Sequence, residues 1–445
     1  MGVMPENRLL ITMSLPMMIS MLIQALYNIV DSIFVAMIEE RALTAVSLAF
    51  PIQNVMIAVA MGTCVGMNAL LSKSLGEKRY EYANKVAKNT MFLQLCGFIV
   101  FFLFGLFFAK AYYSIQTDDA VIIEYGRQYV QTICMISIGV YVQSTFERML
   151  QATGRTIYTM ITQGTGAIIN IIMDPILIFG YFGMPAMGVR GAAVATVCGQ
   201  CVAAVMAFTI NLKINKDVNI NLKGFHPEGQ VIKNIYRIAV PSIVMQAISG
   251  VMNFGMNQIL LGFSSTATTV FGIYYKLQSI VFMPVFGLNS GMVPIIAYNY
   301  GAGKRSRVTN TIKLGVIYSV CIMLIGFAIM QTIPDKLLML FSASENMLEI
   351  GIPALRITSI AFIAAGFCIG MGSSFQALGR AWYSMINSIS RQIVVLLPVA
   401  WLLARLGNIN LVWWAFPIAE LVSVFVQIFF YIKVRKQVIV HIGES

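Results

Sequence analysis

Charged side chains are scarce in this chain of 445 residues. Asp, Glu, Lys and Arg together make up 11% of it, whereas soluble domains carry about 25%. Apolar residues make up 58% of the chain, and the mean hydropathy is +0.79. This balance excludes an ordinary water-soluble domain and predicts an integral membrane protein.

The residues that carry catalytic or metal chemistry are also few. The two histidines, His226 and His441, fall in or near polar segments, so no histidine relay is predicted inside the membrane. All seven cysteines fall in apolar stretches, and Cys198-x-x-Cys201 has no neighbouring His or carboxylate, so we read them as small hydrophobic residues. The chain has no apparent signal peptide, phosphate loop or nucleophile constellation. We expect neither an enzyme nor a resident cofactor.

A long internal repeat organises the chain. Residues 16–163 match residues 241–388 at a constant offset of 225 positions, apart from a one-residue slip near Lys78. Pro16 falls on Pro241, and the Gln151-Ala-x-Gly-Arg motif recurs from Gln376. Repeats of this length in an apolar chain are typical of the two lobes of a secondary transporter, with the substrate path between them.

The length and hydropathy predict twelve transmembrane helices, six in each half. Six is an even number, so both halves enter the membrane in the same sense and form a parallel pseudo-two-fold repeat. We predict an all-α integral membrane protein with lobes at 1–212 and 238–445, joined by a linker at 213–237. The predicted spans are 10–36, 44–71, 89–112, 125–147, 157–182, 187–212, 238–262, 267–297, 314–333, 350–375, 382–404 and 410–432.

The net charge of +12 reflects topology. Most basic residues collect on one set of loops and on the two termini, with clusters at 73–85, 213–237 and 304–313. Because cytoplasmic loops are rich in Lys and Arg, both termini and the linker are predicted to be cytoplasmic. This distribution argues against nucleic acid as a partner.

Polar side chains inside the predicted spans concentrate in the N-terminal lobe. A charge at the bilayer centre costs about 2.5–3.5 kcal/mol on insertion scales, so such residues are functional candidates. Facing carboxylate stripes would form an oxygen-rich pocket for a proton or a hard cation such as Na⁺. The alternative is that each Asp only hydrogen-bonds a neighbouring helix. The helical spacing groups Gln24, Asn28 and Asp31 in span 1, Gln163, Asn170 and Asp174 in span 5, and Thr196 and Gln200 in span 6.

The C-terminal lobe does not repeat these carboxylates. Asp31 falls on Met256 and Asp174 on Val399, so ion coupling is predicted for the N-terminal lobe alone. Lys276 or Arg391 could pair with Glu420, either as a structural salt bridge or in transport. An uncharged stripe runs along span 7 at Gln246, Gly250, Asn253 and Asn257.

Small residues recur at the repeat offset as well. Gly62-x-x-x-Gly66 falls on Gly287-x-x-x-Gly291. This spacing lets helix backbones approach closely, so it predicts a packing contact common to both lobes.

These motifs resemble the multidrug and toxic compound extrusion (MATE) family along nearly the whole chain. The resemblance implies a bacterial inner-membrane antiporter that expels organic, often cationic, drugs in exchange for Na⁺ or H⁺. It also implies a cation site at Asp31, Asn170 and Asp174, with Thr196 in the same network. Some members carry a Glu in span 7, and this chain has none. The matching segments are Leu26-Tyr-Asn-Ile-Val-Asp31, Gln151-Ala-x-Gly-Arg155, Asn170-Ile-Ile-Met-Asp-Pro175, Gly188-Val-x-Gly-Ala-Ala-x-Ala-Thr196, Gly287-Leu-Asn-Ser-Gly291-Met-Val-Pro294 and Trp413-Trp-Ala-Phe-Pro-Ile-Ala-Glu420.

Two other functions remain open from the sequence. The same superfamily includes flippases for lipid-linked oligosaccharides, which would use Lys276 and Arg391 on a pyrophosphate. A passive pore is the other, although it needs no titratable groups on one side. For the antiporter we expect organic cations and membrane lipid as partners, a functional monomer and, if sodium is the coupling ion, Na⁺ at Asp31, Asn170 and Asp174. The predicted substrate path includes Gln24, Asn28, Gln246, Asn253, Asn257, Lys276 and Glu420.

Overall fold

The computed structural model describes residues 1–38, 40–341 and 343–443. Within these residues the fold is all-α, as predicted, with no β-strand. Short 3₁₀ and π-helical segments lie at Tyr181–Gly183, Ser390–Leu396 and Arg435–Ile439. The helices are α1 (Glu6–Ala36), α2 (Glu40–Gly76), α3 (Tyr80–Phe107), α4 (Ala109–Ser114), α5 (Ala120–Met135), α6 (Ile138–Ala152), α7 (Thr156–Phe179), α8 (Val189–Ile214), α9 (Gly229–Leu261), α10 (Ser265–Gly301), α11 (Arg305–Thr332), α12 (Pro334–Met339), α13 (Glu345–Ser359), α14 (Ala361–Ala377), α15 (Ala381–Ile389), α16 (Leu397–Ala404), α17 (Ile409–Val412) and α18 (Ala415–Val434).

Ten helices of the described chain are long and apolar enough to cross a membrane, and the bent pair α13 and α14 would make an eleventh span. The chain is therefore a multi-pass membrane protein. The predicted span 125–147 coincides with α5 and α6, which are interrupted at residues 136–137. There the Ser137 hydroxyl donates to the Cys134 carbonyl at 2.8 Å. The count of twelve spans stays a prediction.

The chain packs as two compact units. The N-terminal unit is Ile19–Ile243, and the C-terminal unit consists of Met1–Met18 with the described residues from Val244 onward. These bounds differ from the predicted lobes 1–212 and 238–445. The start of α1, up to Met18, packs with the C-terminal unit, and the start of α9, up to Ile243, packs with the N-terminal unit. The predicted linker is also shorter in the structure, since α9 begins at Gly229.

In the N-terminal unit, glycines of α2 pack against the N-terminal half of α9. A Cβ added at Gly62 would come within 3.0 Å of the Ile243 nitrogen, and one at Gly66 within 2.6 Å of the Ile235 oxygen. Only residues without a side chain allow this approach. Elsewhere the core of this unit is apolar around Tyr113.

In the C-terminal unit, glycines of α10 pack against the N-terminal half of α1 in the same way. A Cβ at Gly287 would lie 2.5 Å from the Met18 Cα, and one at Gly291 would lie 2.8 Å from the Ser14 Cα. The two glycine pairs thus make equivalent contacts, as the repeated motif indicates. The apolar core of this unit surrounds Trp413, which is fully buried.

Candidate functional site

The candidate site lies within the N-terminal unit, where one face of α1 meets α7. Asp31 of α1 and Asp174 of α7 lie close enough for their carboxyl groups to interact directly. Asp174 is fully buried and Asp31 is half-buried. No protein donor among the described residues reaches Asp31 Oδ1 or either oxygen of Asp174. The two predicted carboxylate stripes are therefore brought together.

An amide and a hydroxyl extend this site towards α8. Asn170 lies one turn before Asp174, and its Nδ2 donates to the Thr196 hydroxyl oxygen at 3.2 Å. Thr196 in turn donates to the Ala192 carbonyl at 3.1 Å. The donors of Asn170 and Thr196 thus point away from the carboxyls, whereas Asn170 Oδ1 is buried without a protein partner. Within the described chain, the buried oxygens of Asp31, Asp174 and Asn170 are thus acceptors that no protein donor reaches.

A cavity of about 80 Å³ adjoins this site inside the same unit. Its walls carry several amides, the Tyr27 ring and a few apolar groups. Tyr27 also lies within electrostatic range of Asp31 and Asp174, so the cavity extends towards the carboxyl pair. The polar lining comes from Ser20, Gln24, Tyr27, Gln143, Gln163, Asn170, Thr196 and Gln200.

A third buried acid of this unit, Glu147 of α6, was not predicted. Its side chain accepts hydrogen bonds from Gln143 at 3.0 Å, from Thr162 at 2.8 Å and from Gln163 at 2.7 Å. The sequence analysis ended span 4 at this residue and so placed it at the membrane surface. The helix continues to Ala152. The spacing of Gln143 and Glu147, one helical turn apart, was the available signal.

The C-terminal unit contains a buried ion pair instead. Arg391 Nη1 lies 2.5 Å from Glu420 Oε1, so Arg391 and not Lys276 is the partner of Glu420. Arg391 belongs to the π-helical segment Ser390–Leu396, a form that recurs at functional sites. Lys276 is exposed on α10.

The remaining predicted path residues are less enclosed. Asn28 is exposed on α1, while Gln246, Asn253 and Asn257 are half-buried on α9. Asn253 Nδ2 donates to the Ser249 carbonyl of its own helix at 3.0 Å. These residues belong to different units, Asn28 to the N-terminal one and the others to the C-terminal one.

The acceptor oxygens at the carboxyl pair fit a proton or a hard cation. Two like-charged carboxyls in contact are unfavourable unless a proton or a cation is shared between them. Carboxylate, amide and hydroxyl oxygens are also the ligands of hard cations. Among the described residues no group of three or more His, Cys, Asp or Glu could hold a metal ion. A bound Na⁺ at this site would have the Asp31 and Asp174 carboxylates and the Asn170 amide oxygen as its candidate ligands.

The fold and this buried acidic site define an all-α, multi-pass membrane protein. The MatE family model matches residues 16–176 and again residues 241–402. The chain therefore belongs to the MATE family of transporters. The two matches start at residues related by the repeat offset of the sequence.

Known proteins are similar over nearly the full length. The multidrug export protein MepA of Staphylococcus haemolyticus is 27% identical over 96% of this chain and 93% of its own. MepA of Staphylococcus aureus strain RF122 is 27% identical over 94% and 91%. The same fold occurs in an outward-facing structure of a multidrug resistance MATE family transporter, with a TM-score of 0.92 and 23% identity over 99% of this chain and 98% of that one. A MOP superfamily transporter from Pyrococcus furiosus superposes with a TM-score of 0.91 and 23% identity over 99% and 98%.

Proposed function

We propose that this protein is a secondary active antiporter. It exports organic, cationic and amphipathic drugs or toxic compounds in exchange for H⁺ or Na⁺, by alternating access between two lobes. Support comes from its family, from relatives described as multidrug export proteins and from the buried acids of the N-terminal unit. The observation that carries the proposal is the proximity of Asp31 and Asp174, whose buried oxygens have no protein donor among the described residues.

The coupling follows from the cost of placing these carboxyls together. With one proton or a Na⁺ shared between them, the pair is stable inside the membrane. When the ion leaves, repulsion and desolvation favour a different arrangement of α1 against α7. An ion shifts such an equilibrium only by its differential affinity for the two arrangements, and a few kcal/mol are enough.

The ion reaches the pair through the amide-lined cavity in this proposal. The cavity borders Asn170 and Thr196, and Tyr27 connects it to both carboxyls. A cavity of about 80 Å³ has room for a few waters or a partly hydrated ion. The organic cation competes with the ion for the same negative charge, which couples its release to ion uptake.

The cellular setting completes the proposal. The protein acts as a monomer in the bacterial cytoplasmic membrane, with both termini in the cytoplasm and with no nucleic-acid partner. It needs no cofactor, because the ion gradient supplies the free energy. Lys276 and Glu420 belong to the proposed substrate path together with the polar residues of α1 and α9.

The test uses purified protein in liposomes loaded with a fluorescent organic cation. A proton gradient and a Na⁺ gradient are imposed separately, and efflux is followed in each case. We expect one of them to drive efflux in the wild type and Asp31→Asn to reduce that efflux severely. Asp118→Asn, at an exposed position, is the matched control and should behave as wild type.

Efflux that ignores both gradients would overturn antiport and indicate a passive pore. Transport of a lipid-linked oligosaccharide in the same liposomes, without export of the cation, would instead indicate a flippase. Wild-type efflux in Asp31→Asn would remove Asp31 from the coupling site.

A further inference from the structure

Glu147 is buried within the N-terminal unit, with 2% of its surface exposed. Both of its carboxyl oxygens accept hydrogen bonds: Oε1 from Gln143 and Thr162, and Oε2 from Gln163. This sets it apart from Asp31 and Asp174, whose buried oxygens lack donors from the part of the chain that the structure describes. A buried acid that is fully hydrogen-bonded fixes its partners, whereas one without donors is the better candidate for taking up an ion.

Gln163 passes this constraint on to α1. Its Nε2 donates to Glu147 Oε2 at 2.7 Å, so its Oε1 is left as an acceptor. The Ser20 hydroxyl donates to that oxygen. Glu147 of α6, Gln163 of α7 and Ser20 of α1 thus form one hydrogen-bonded chain, here named the Glu147 chain. The amide can serve both neighbours in only one orientation, and Glu147 selects it.

The Glu147 chain and the carboxyl pair hold the same two helices at two points. Ser20 and Asp31 are eleven residues apart on α1, and Gln163 and Asp174 are eleven apart on α7. Eleven residues make three helical turns, about 17 Å along one face. The cavity lies along the stretch between the two contacts. The packing of α1 against α7 is therefore fixed at one end by Ser20 with Gln163 and at the other by Asp31 with Asp174.

The repeat supplies an internal comparison. At the repeat offset of 225 positions, Glu147 falls on Gly372, Gln163 on Ser388 and Ser20 on Met245. The C-terminal half therefore lacks every member of the chain, as it lacks counterparts of Asp31 and Asp174. The Glu147 chain and the carboxyl pair occur together in the N-terminal half and are absent together from the C-terminal half.

We propose that Glu147 is a positioning residue for the Asp31–Asp174 site. It acts through Gln163 and Ser20 on the packing of α1 against α7. The inference rests on the proposed ion coupling and deepens it. Without the Glu147 chain, α1 is free to rotate or slide at its Ser20 end. The Asp31 carboxyl then meets Asp174 less often in the geometry that shares an ion, and the apparent affinity for the coupling ion falls.

Other titratable groups near Glu147 have their own partners. Arg148, on the same helix, donates to the Gln151 side chain at 2.9 Å. Cys64 of α2 also lies near Glu147, and it accepts from Gln94 at 2.7 Å. Among the described residues, neither Arg148 nor Cys64 is hydrogen-bonded to Gln163 or Ser20. Glu147 is therefore connected to α1 through Gln163.

The test measures efflux from liposomes against the concentration of the coupling ion. We expect Ser20→Ala and Glu147→Gln each to raise the half-saturating ion concentration by about three- to tenfold, the effect of one or two lost hydrogen bonds. The maximal rate at saturating ion should be retained. The double variant should shift little further than Glu147→Gln alone, because both act through one chain.

Two controls make the outcome decisive. Thr165→Ala removes a hydroxyl from α7 that bonds only its own helix, at the Ile161 carbonyl, and should leave the ion dependence unchanged. Ser20→Ala deletes a single oxygen, so it tests the inference even where Glu147→Gln fails to fold. A structural role alone would lower the amount or the maximal rate of the protein without moving the half-saturating concentration.

The two proposals fail in different ways. An ion-driven wild type whose half-saturating concentration is unmoved by Ser20→Ala and Glu147→Gln overturns the inference about Glu147 and leaves antiport standing. A wild type that ignores both ions overturns antiport, and the coupling role of Glu147 with it.

Discussion

Arg391 donates to Glu420 at 2.5 Å inside the C-terminal unit, with 21% and 12% of the two side chains exposed. The pair is incomplete, since Arg391 Nε and Glu420 Oε2 are buried with no hydrogen-bond partner in residues 1–38, 40–341 and 343–443. Tyr274 lies beside both groups. Buried pairs of this kind are costly to break, because the remaining charge loses its only partner.

We expect Arg391→Met to lower the free energy of unfolding by up to about 3–5 kcal/mol. The double variant Arg391→Met with Glu420→Leu should recover much of that loss, since it leaves no buried charge. Thermal unfolding in detergent is the measurement. The exposed pair Arg127–Glu124 is the matched control, and Arg127→Met should cost less than about 1 kcal/mol. A double variant less stable than the single one would contradict this account.

The glycine contacts give a second prediction. Gly287→Ala should destabilise the protein by about 1–3 kcal/mol, because the new methyl group meets the backbone of Met18 at 2.5 Å. Gly62→Ala should also destabilise the protein, because its methyl group would meet Ile243 Cγ1 and, at 3.0 Å, the Ile243 nitrogen. Gly272→Ala, on the same helix as Gly287 but with open space around it, should be neutral or slightly stabilising. Equal losses at Gly287 and Gly272 would show that the close approach is unimportant.

Much of the N-terminal site could be predicted from the sequence. Helical spacing groups Gln163, Asn170 and Asp174 on one face, and the structure turns that face towards the cavity and Asp31. Charge inside an apolar span is a strong signal, because insertion is costly. Which polar groups meet across helices depends on rotation and tilt, and these are set by packing.

The missed features have the same physical origin. Glu147 was missed because the predicted span ended at it, whereas α6 continues to Ala152 and the side chain is buried. The division of α1 after Met18 was not predicted either. A repeat identifies equivalent segments, but it does not say which unit each turn packs against.

Asp31 and Asp174 should act as one unit in coupling. We expect Asp31→Asn and Asp174→Asn each to reduce ion-driven efflux severely, because either change leaves a single carboxyl that cannot share the ion. The double variant should be little worse than Asp31→Asn, since groups in one site are non-additive. Efflux rates in liposomes at equal protein content are the measurement. Fully multiplicative losses would place the two acids in separate sites.

The distribution of basic residues gives a prediction about topology. In a variant without the seven native cysteines, a single Cys at position 118 should react with an impermeant thiol reagent added outside cells. A single Cys at position 223 should react only after the membrane is opened. Both positions are exposed, so access depends on the side of the membrane alone. The opposite pattern would reverse the predicted orientation.

The last prediction concerns the linkage between ion and drug. If both compete through the charge of Asp31 and Asp174, added ion must lower the affinity for an organic cation, and the cation must lower ion affinity by the same factor. Titrating a fluorescent cationic drug into the detergent-solubilised protein, across pH and across Na⁺ at fixed ionic strength, measures this factor.

A coupling of about 1–3 kcal/mol corresponds to a 5- to 150-fold change in drug affinity. Potassium chloride in place of NaCl controls for screening of surface charge. In Asp31→Asn the drug affinity should no longer follow either ion, since only the Asp174 carboxyl remains and it cannot share an ion with a second acid. A wild type with the same drug affinity at every pH and Na⁺ concentration would show that ion and drug bind independently, and coupling through the carboxyl pair would then be wrong.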